Sequence, residues 1–328
     1  MIVPLLAALL AAGQPASSLP PELSAIRMQI MSGQPDAALE QLAKLPSDAL
    51  HVRYLTGLAL YHRDDHPGAI EKLAPVVDRL VDGSPERREA TQVLGLSYFA
   101  AGKLQEALPL LERTRTWARD NRELGHVLGQ AYLRTGQVES ARKVIAETFD
   151  VDPASAAAHL HTAQTLIRLE LAGPAAAELQ RALAIDPRAP QAHVLLGQMA
   201  AHRGDLEEAV ALFRKAIELD PLDAMARYRL GEALSRQHKW DESMAASQQS
   251  LWINPYFSGP YIVLARGYLD KDQPGAAEGL LRRAVEYDPN NRTAHYLLGQ
   301  SLQKLGRDVE AARHFQTAER LADAARRR

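Results

Sequence analysis

The residues best placed to do chemistry in this chain of 328 are His62-Arg63-Asp64-Asp65-His66, two histidines four apart around two carboxylates. On a continuous helix that spacing would set both imidazoles over one cation. Here the stretch coincides with the turn of a helical hairpin, so no metal site is expected. Gly95 to Lys103 imitates a phosphate-cradling loop, but its glycine spacing is wrong and Leu104 stands where serine or threonine must meet the metal. Acidic pairs such as Glu207-Glu208 open helices, where negative charge complements the helix dipole. No G-x-S-x-G, G-x-G-x-x-G or H-E-x-x-H run occurs. The absence of cysteine removes thiolate nucleophiles, thiolate zinc sites and structural disulfides. A formal charge of −2 lacks the basic excess that displaces counterions from nucleic acid. The chain is therefore expected to be non-enzymatic, with no cofactor, no metal and no nucleic-acid partner.

What must position the remaining side chains is a repeat. A glycine or alanine recurs every 34 residues, at Gly95, Gly129, Ala163, Gly197, Gly231, Ala265 and Gly299. Twelve residues behind runs a second small column: Ala107, Ala141, Ala175, Ala209, Ser243, Ala277 and Ala311. A proline column stands at Pro153, Pro187, Pro221, Pro255 and Pro289, each preceded by Asp or Asn. Within one period, Val194, Leu195 and Met199, then Leu206, Val210, Phe213 and Ile217, recur at three and four, which places an apolar stripe on each of two helices. Each period reads as a helical hairpin ended by proline. Its turn uses Gly102, Gly136, Gly204 and Gly306, with Glu170, His238 and Asp272 at the same place in other copies. The small columns are expected to let the two helix backbones approach closely. Hydrophobic residues at 46% and charged residues at 24% allow every unit a buried face and a soluble exterior.

These columns resemble the tetratricopeptide repeat, whose pattern sets Leu-Gly, an aromatic, alanine and proline in a 34-residue period. Leu94-Gly95 with Tyr98 and Leu128-Gly129 with Tyr132 carry the likeness best, and Leu196-Gly197, Leu230-Gly231 and Leu298-Gly299 keep the dipeptide. Gly57 with Ala69 adds an earlier copy, 38 residues before the next, and the four extra residues fit one added helical turn before Asp82-Gly83-Ser84-Pro85. The organisation expected is a leader over 1–18, a degenerate capping hairpin over 19–49, eight repeats over 50–325 and a basic tail over 326–328. The cap turns at Gly33-Gln34-Pro35, with Ala38 in the alanine column and Ile26 where glycine belongs. The resemblance implies an all-α, right-handed α-solenoid whose first helices line a concave groove.

It also implies which residues face that groove. One beyond the glycine column stand Leu96, Gln130, Gln164, Gln198, Glu232, Arg266 and Gln300; five beyond stand Ala100, Arg134, Arg168, His202, Arg236, Asp270 and Lys304. Glutamine amides could pair with the backbone of an extended peptide and arginines could fork onto its carboxylates, so an acidic partner segment is expected. The competing reading is ordinary solvation of a polar helix face. Tyr54, His126, Tyr228, Ile262 and Tyr296, three before the column, would be anchors or packing residues. The lysine-asparagine arrangement with which some family members grip a terminal carboxylate is absent at matching places. His159, His193 and His295 share the column of the family's bulky wedge residue and are read as structural. Trp252, with Tyr256 and Phe257, replaces a solvated position and forms a candidate second patch for a partner or for self-association, unless it packs over the next hairpin.

The chain begins with an apolar run, Met1 to Ala12, followed by small residues and Gln14-Pro15, a pattern similar to a secretory signal though without its basic start. It is well short of the ~20 residues that span a bilayer. An exported, periplasmic or secreted scaffold for protein partners is expected, with a cytoplasmic location as the alternative. Two other readings stay open: an enzyme with a site assembled across repeats, and a self-associating homo-oligomer.

Overall fold

The computed structural model describes residues 19–326; the leader over 1–18 and the last two arginines of the basic tail lie outside the described residues. Among the described residues there are eighteen α-helices, one 3-10 turn and no strand. The chain divides into two compact units, Met1–Ala175 and Ala176–Arg328. Unit 1 holds the hairpins α1 (Pro21–Met31) with α2 (Pro35–Leu42), α3 (Leu50–His62) with α4 (His66–Leu73), α5 (Pro85–Ala100) with α6 (Leu104–Arg115) and α7 (Arg122–Arg134) with α8 (Val138–Phe149), then α9 (Ala156–Arg168). The boundary falls within α10 (Ala172–Ile185). Unit 2 continues with α11 (Pro190–Arg203) and α12 (Leu206–Leu219), α13 (Ala224–Arg236) and α14 (Trp240–Ile253), α15 (Ser258–Asp270) and α16 (Pro274–Tyr287), and α17 (Arg292–Lys304) and α18 (Asp308–Arg326). Within unit 2 the first helices neighbour one another, α11 with α13, α13 with α15 and α15 with α17, so they form one continuous face. This is the architecture of an α-solenoid.

The hairpins start and stop for local reasons. Asn121, Ser155, Asp223 and Asn291 each accept a hydrogen bond from the backbone N–H three residues on, capping a first helix. Each first helix from α3 to α17 then gives way to one left-handed residue. Glycine supplies it at Gly102, Gly136, Gly204 and Gly306, and Asp64, Glu170, His238 and Asp272 take φ of 60°, 60°, 60° and 52° in the same role. The turn thus forms even where the side chain disfavours it, because packing on both sides fixes its position.

The wedge column has a specific purpose that its residue types conceal. The Nε2 of His193 lies 3.3 Å from the Pro187 carbonyl oxygen and the Nε2 of His295 lies 3.0 Å from that of Pro289. Arg227 donates to Pro221 O at 2.8 Å and Tyr261 to Pro255 O at 2.9 Å. Each side chain reaches six residues back to a carbonyl left over at the preceding proline corner.

The alanine column is buried in both units, with Ala69, Ala107, Ala141, Ala209 and Ala277 wholly covered. The glycine column does more than admit a close backbone. A Cβ on Gly197 would lie 2.7 Å from the Phe213 ring, and one on Gly299 would lie 2.7 Å from Phe315. At these two places the glycine makes room for the side chain sixteen residues later, while a Cβ on Gly231 would also meet the opposing backbone, Ser243 O at 3.0 Å and Ser247 N at 3.4 Å. Ala265 fills the same column where the facing residue is the smaller Leu281. The four extra residues after the first full hairpin also differ from expectation. Helix α4 ends at Leu73, and the chain makes a separate 3-10 turn at Val77–Arg79, with Val76, Val77 and Leu80 buried.

Candidate functional site

The first-helix face of unit 2 carries most of the expected groove residues. Gln198, Tyr228, Glu232, Arg266 and Gln300 are half-buried, and His202, Arg236, Tyr296 and Lys304 are exposed. In unit 1, Gln130 and Gln164 are half-buried and Arg134 and Arg168 exposed. Helical spacing explains the pattern: residues four apart stand one above the other, one at the edge of the packed stripe and one beyond it.

Four of these side chains come together. Gln198 and His202 from α11 and Glu232 and Arg236 from α13 line a cleft of about 310 Å³, together with Arg229, Ala201, Ala233 and Phe213. Its floor is apolar, because Gly197 admits the Phe213 ring beneath α11. Its rim is charged and partly tied down. Arg229 pairs with Glu232 at 2.9 Å and lies over the Tyr228 ring, 5.2 Å from its centroid. Arg236 donates from Nη1 to the Ala201 carbonyl at 2.8 Å. Tyr228 stands behind this rim, with Phe257 edge-on at 4.8 Å and Gly259 so close that a Cβ there would meet the ring at 2.8 Å. Burial, and then the charge of Glu232, hold the Tyr228 hydroxyl above its ordinary pKa. Arg229 and Phe213 were not marked as groove residues by the period: the first lies two before the glycine column and the second on the partner helix.

Two models of the tetratricopeptide repeat match, one over residues 98–164 and 200–249, the other over 32–76, 174–224 and 262–326. The chain belongs to the tetratricopeptide repeat family. No curated protein matches it. Among solved structures, PilF of Pseudomonas aeruginosa is similar at 21% identity and a TM-score of 0.50, over 61% of this chain and 91% of that one, a likeness of fold alone. MamA of Desulfovibrio magneticus RS-1 shares 23% identity over 52% of this chain and 96% of its own, with a TM-score of 0.46.

Tetratricopeptide repeats bind protein partners, yet several of the bases on this face already lean on their own protein. Arg134 lies over the Phe99 ring at 5.8 Å, Lys304 pairs with Asp272 at 2.7 Å and Arg168 donates to Thr165 at 3.1 Å. The Gln300 amide donates to the Tyr296 hydroxyl at 3.2 Å. Arg266 differs, having no ion pair among the described residues while lying close enough to act on Tyr228. Two residues from the anchor column, Tyr54 and Ile262, are buried, and so is Leu96. They pack and do not reach a partner.

The three aromatics of the second patch separate. Trp252 is 87% exposed, so it does not pack over the next hairpin, and Tyr256 is 74% exposed beside Tyr287. Phe257, just before α15, turns inward onto Tyr228 instead. The His62 and His66 rings flank Tyr61, each with its centroid 5.7 Å from that ring. Burial lowers the His62 pKa and pushes the Tyr61 hydroxyl up to about 12. No group of three or more metal-ligating side chains occurs among the described residues. No helix among them is long and apolar enough to cross a membrane.

Proposed function

We propose that this tetratricopeptide protein is an exported, non-enzymatic scaffold that holds an extended, acidic segment of a protein partner against its first helices. Family membership supports protein binding as the mode of action. The observation that carries the finer reading is the cleft in unit 2, where Gln198, His202, Glu232 and Arg236 converge over an apolar floor. Amides and guanidinium groups above an apolar surface suit a peptide whose backbone needs partners and whose side chains carry carboxylates. The apolar leader from Met1 to Ala12 supports export.

The test combines affinity capture of the tagged chain from envelope and cytosol fractions with charge reversal at Arg134, Arg168 and Arg236. A partner retained by the native chain and by Lys215→Glu on α12, but lost from the reversed variant, is the expected result. Equal retention by both would sink the groove reading. Mass spectrometry of the chain's own amino terminus, expected between Gln14 and Leu19, tests export in the same sample. A second reading, self-association, is favoured by the exposure of Trp252. Light scattering at several concentrations, with Trp252→Ala as comparison, decides it.

A further inference from the structure

We propose that the cleft between α11 and α13 is a reader for one carboxylate side chain, a glutamate or aspartate of the bound segment, with Arg236 as the receiving cation. This deepens the scaffold reading and rests on it. The charge balance of the cleft selects the guest. Glu232 is engaged by Arg229 at 2.9 Å and faces the Tyr228 hydroxyl at 3.5 Å, so the Arg229 charge is answered from within. Among the described residues Arg236 has only a neutral partner, the Ala201 carbonyl. That bond fixes one arm of the guanidinium and leaves the rest of the planar fork for an outside acceptor. A guanidinium held this way loses less freedom on binding than a loose one. Ala201, Ala233 and Phe213 line the same cleft, so the stem of a guest side chain meets carbon while its tip meets charge. The volume lies at the small end of ligand clefts, with room for a side chain of a bound segment.

The chain handles a carboxylate of its own in the same fashion. In unit 1, Glu89 is received by Arg27, through bonds of 2.9 and 3.2 Å, and by the Tyr54 hydroxyl. Arg27 follows the column residue Ile26 and Tyr54 precedes Gly57 by three, so both occupy groove columns. In unit 2 the places corresponding to Glu89 are held by Gln191, Met225, Gly259 and Thr293. None of these is a carboxylate, and Arg236, four places beyond the column of Arg27, keeps its carbonyl partner alone, which leaves the acceptor to come from a partner.

The test needs no known partner. Because the chain has no cysteine, one introduced thiol reports only its own surroundings. The Gln198→Cys variant is equilibrated with the disulfide of 3-mercaptopropionate and, separately, with that of the matching amide, under a fixed excess of reducing thiol. Mass spectrometry reads the fraction of mixed disulfide, and Lys215→Cys on the exposed side of α12 sets the baseline ratio. Relative to that baseline, the carboxylate is expected to be favoured by about fivefold, the size of one charge-assisted hydrogen bond in a half-exposed site. Adding Arg236→Gln should return the ratio to baseline and adding Arg236→Lys should keep most of it. Equal trapping of acid and amide with Arg236 intact, or a preference that survives Arg236→Gln, overturns the assignment. Partner capture that still depends on the groove would then leave the scaffold reading standing without this reader. Loss of capture together with intact trapping would do the reverse.

Discussion

The same repeat columns meet opposite fates in the first hairpins of unit 1 and in unit 2. Among the amino-terminal hairpins, Tyr54 and Leu58 are fully covered and Leu96 nearly so. In unit 2 the equivalent places include Tyr296, which is 49% exposed, and Glu232, Arg266 and Gln300, all reached by solvent. A repeat column therefore fixes which way a side chain points, while whether anything covers it depends on residues that do not repeat. In unit 1 one such residue is Glu89, a buried carboxylate tied to α1 through Arg27 and to α3 through Tyr54. Burial works against the Arg27 charge, but the bonds from Glu89 outweigh it and hold the guanidinium above its ordinary pKa. The amino-terminal face is thereby locked by an internal ion pair, and the unit 2 face is left for something else.

Breaking that lock gives the largest effect expected. Arg27→Met strands a carboxylate that is only 6% exposed at its side chain, and loss of one partner from such a pair costs about 3–5 kcal/mol. The double change Arg27→Met with Glu89→Leu should recover most of it, since an apolar pair of similar volume needs no solvation. Arg236→Met in unit 2, where the partner is a carbonyl at an exposed site, should cost under about 1 kcal/mol. Hydrogen exchange of α3 and α13 reads the two units separately, which matters because repeat arrays need not unfold in one step. Similar losses at Arg27 and Arg236 would erase the contrast between locked and open faces.

A middle-sized effect is expected at the floor of the open face. Gly197→Ala would set a methyl 2.7 Å from the Phe213 ring, and such overpacking costs about 1–3 kcal/mol. Adding Phe213→Leu should restore most of the loss, because the native pair Ala265 and Leu281 already packs that way in the same unit. Thermal unfolding followed by circular dichroism checks both. If the double variant is no better than the single one, the glycine column serves backbone approach after all.

What the sequence disclosed, and what it withheld, follows the same division. The hairpin turns were legible even at Glu170, His238 and Asp272, where the residue type argues against a left-handed backbone, because many copies of one register outweigh any single side chain. The half-buried and exposed places along the first helices were legible for the same reason. Features that exist in a single copy were not. Nothing periodic marks Glu89 as a buried lock, Arg229 as the partner of Glu232, or Phe213 as a cleft floor. Trp252 was flagged by its departure from the repeat, but its exposure depends on the absence of a neighbour, which no spacing records. The donors at the wedge column did repeat, yet His, Arg and Tyr share no chemistry except the ability to reach a carbonyl.

The smallest effect expected separates the units by pH. In unit 2, the Nδ1 atoms of His295 on α17 and His314 on α18 lie 2.9 Å apart, and His295 Nε2 faces the Pro289 carbonyl at 3.0 Å. That carbonyl requires a proton on Nε2, so in the neutral pair His295 accepts at Nδ1 and His314 donates. Burial, then the His295 charge and Arg282 on α16, lower the His314 pKa, while Glu310 on its own helix opposes them. The folded-state value lies below the ordinary 6.5, so the unfolded chain binds the proton first and the stabilisation, present above that value, is lost as pH falls through the folded one. Between pH 7.5 and 5.5, α18 should lose protection from hydrogen exchange, corrected for intrinsic rates, relative to α6 in unit 1, a helix that carries no histidine. His314→Gln should flatten the response of α18. A parallel loss in α6 and α18 would show a property of repeat proteins at low pH in general and not of this histidine pair.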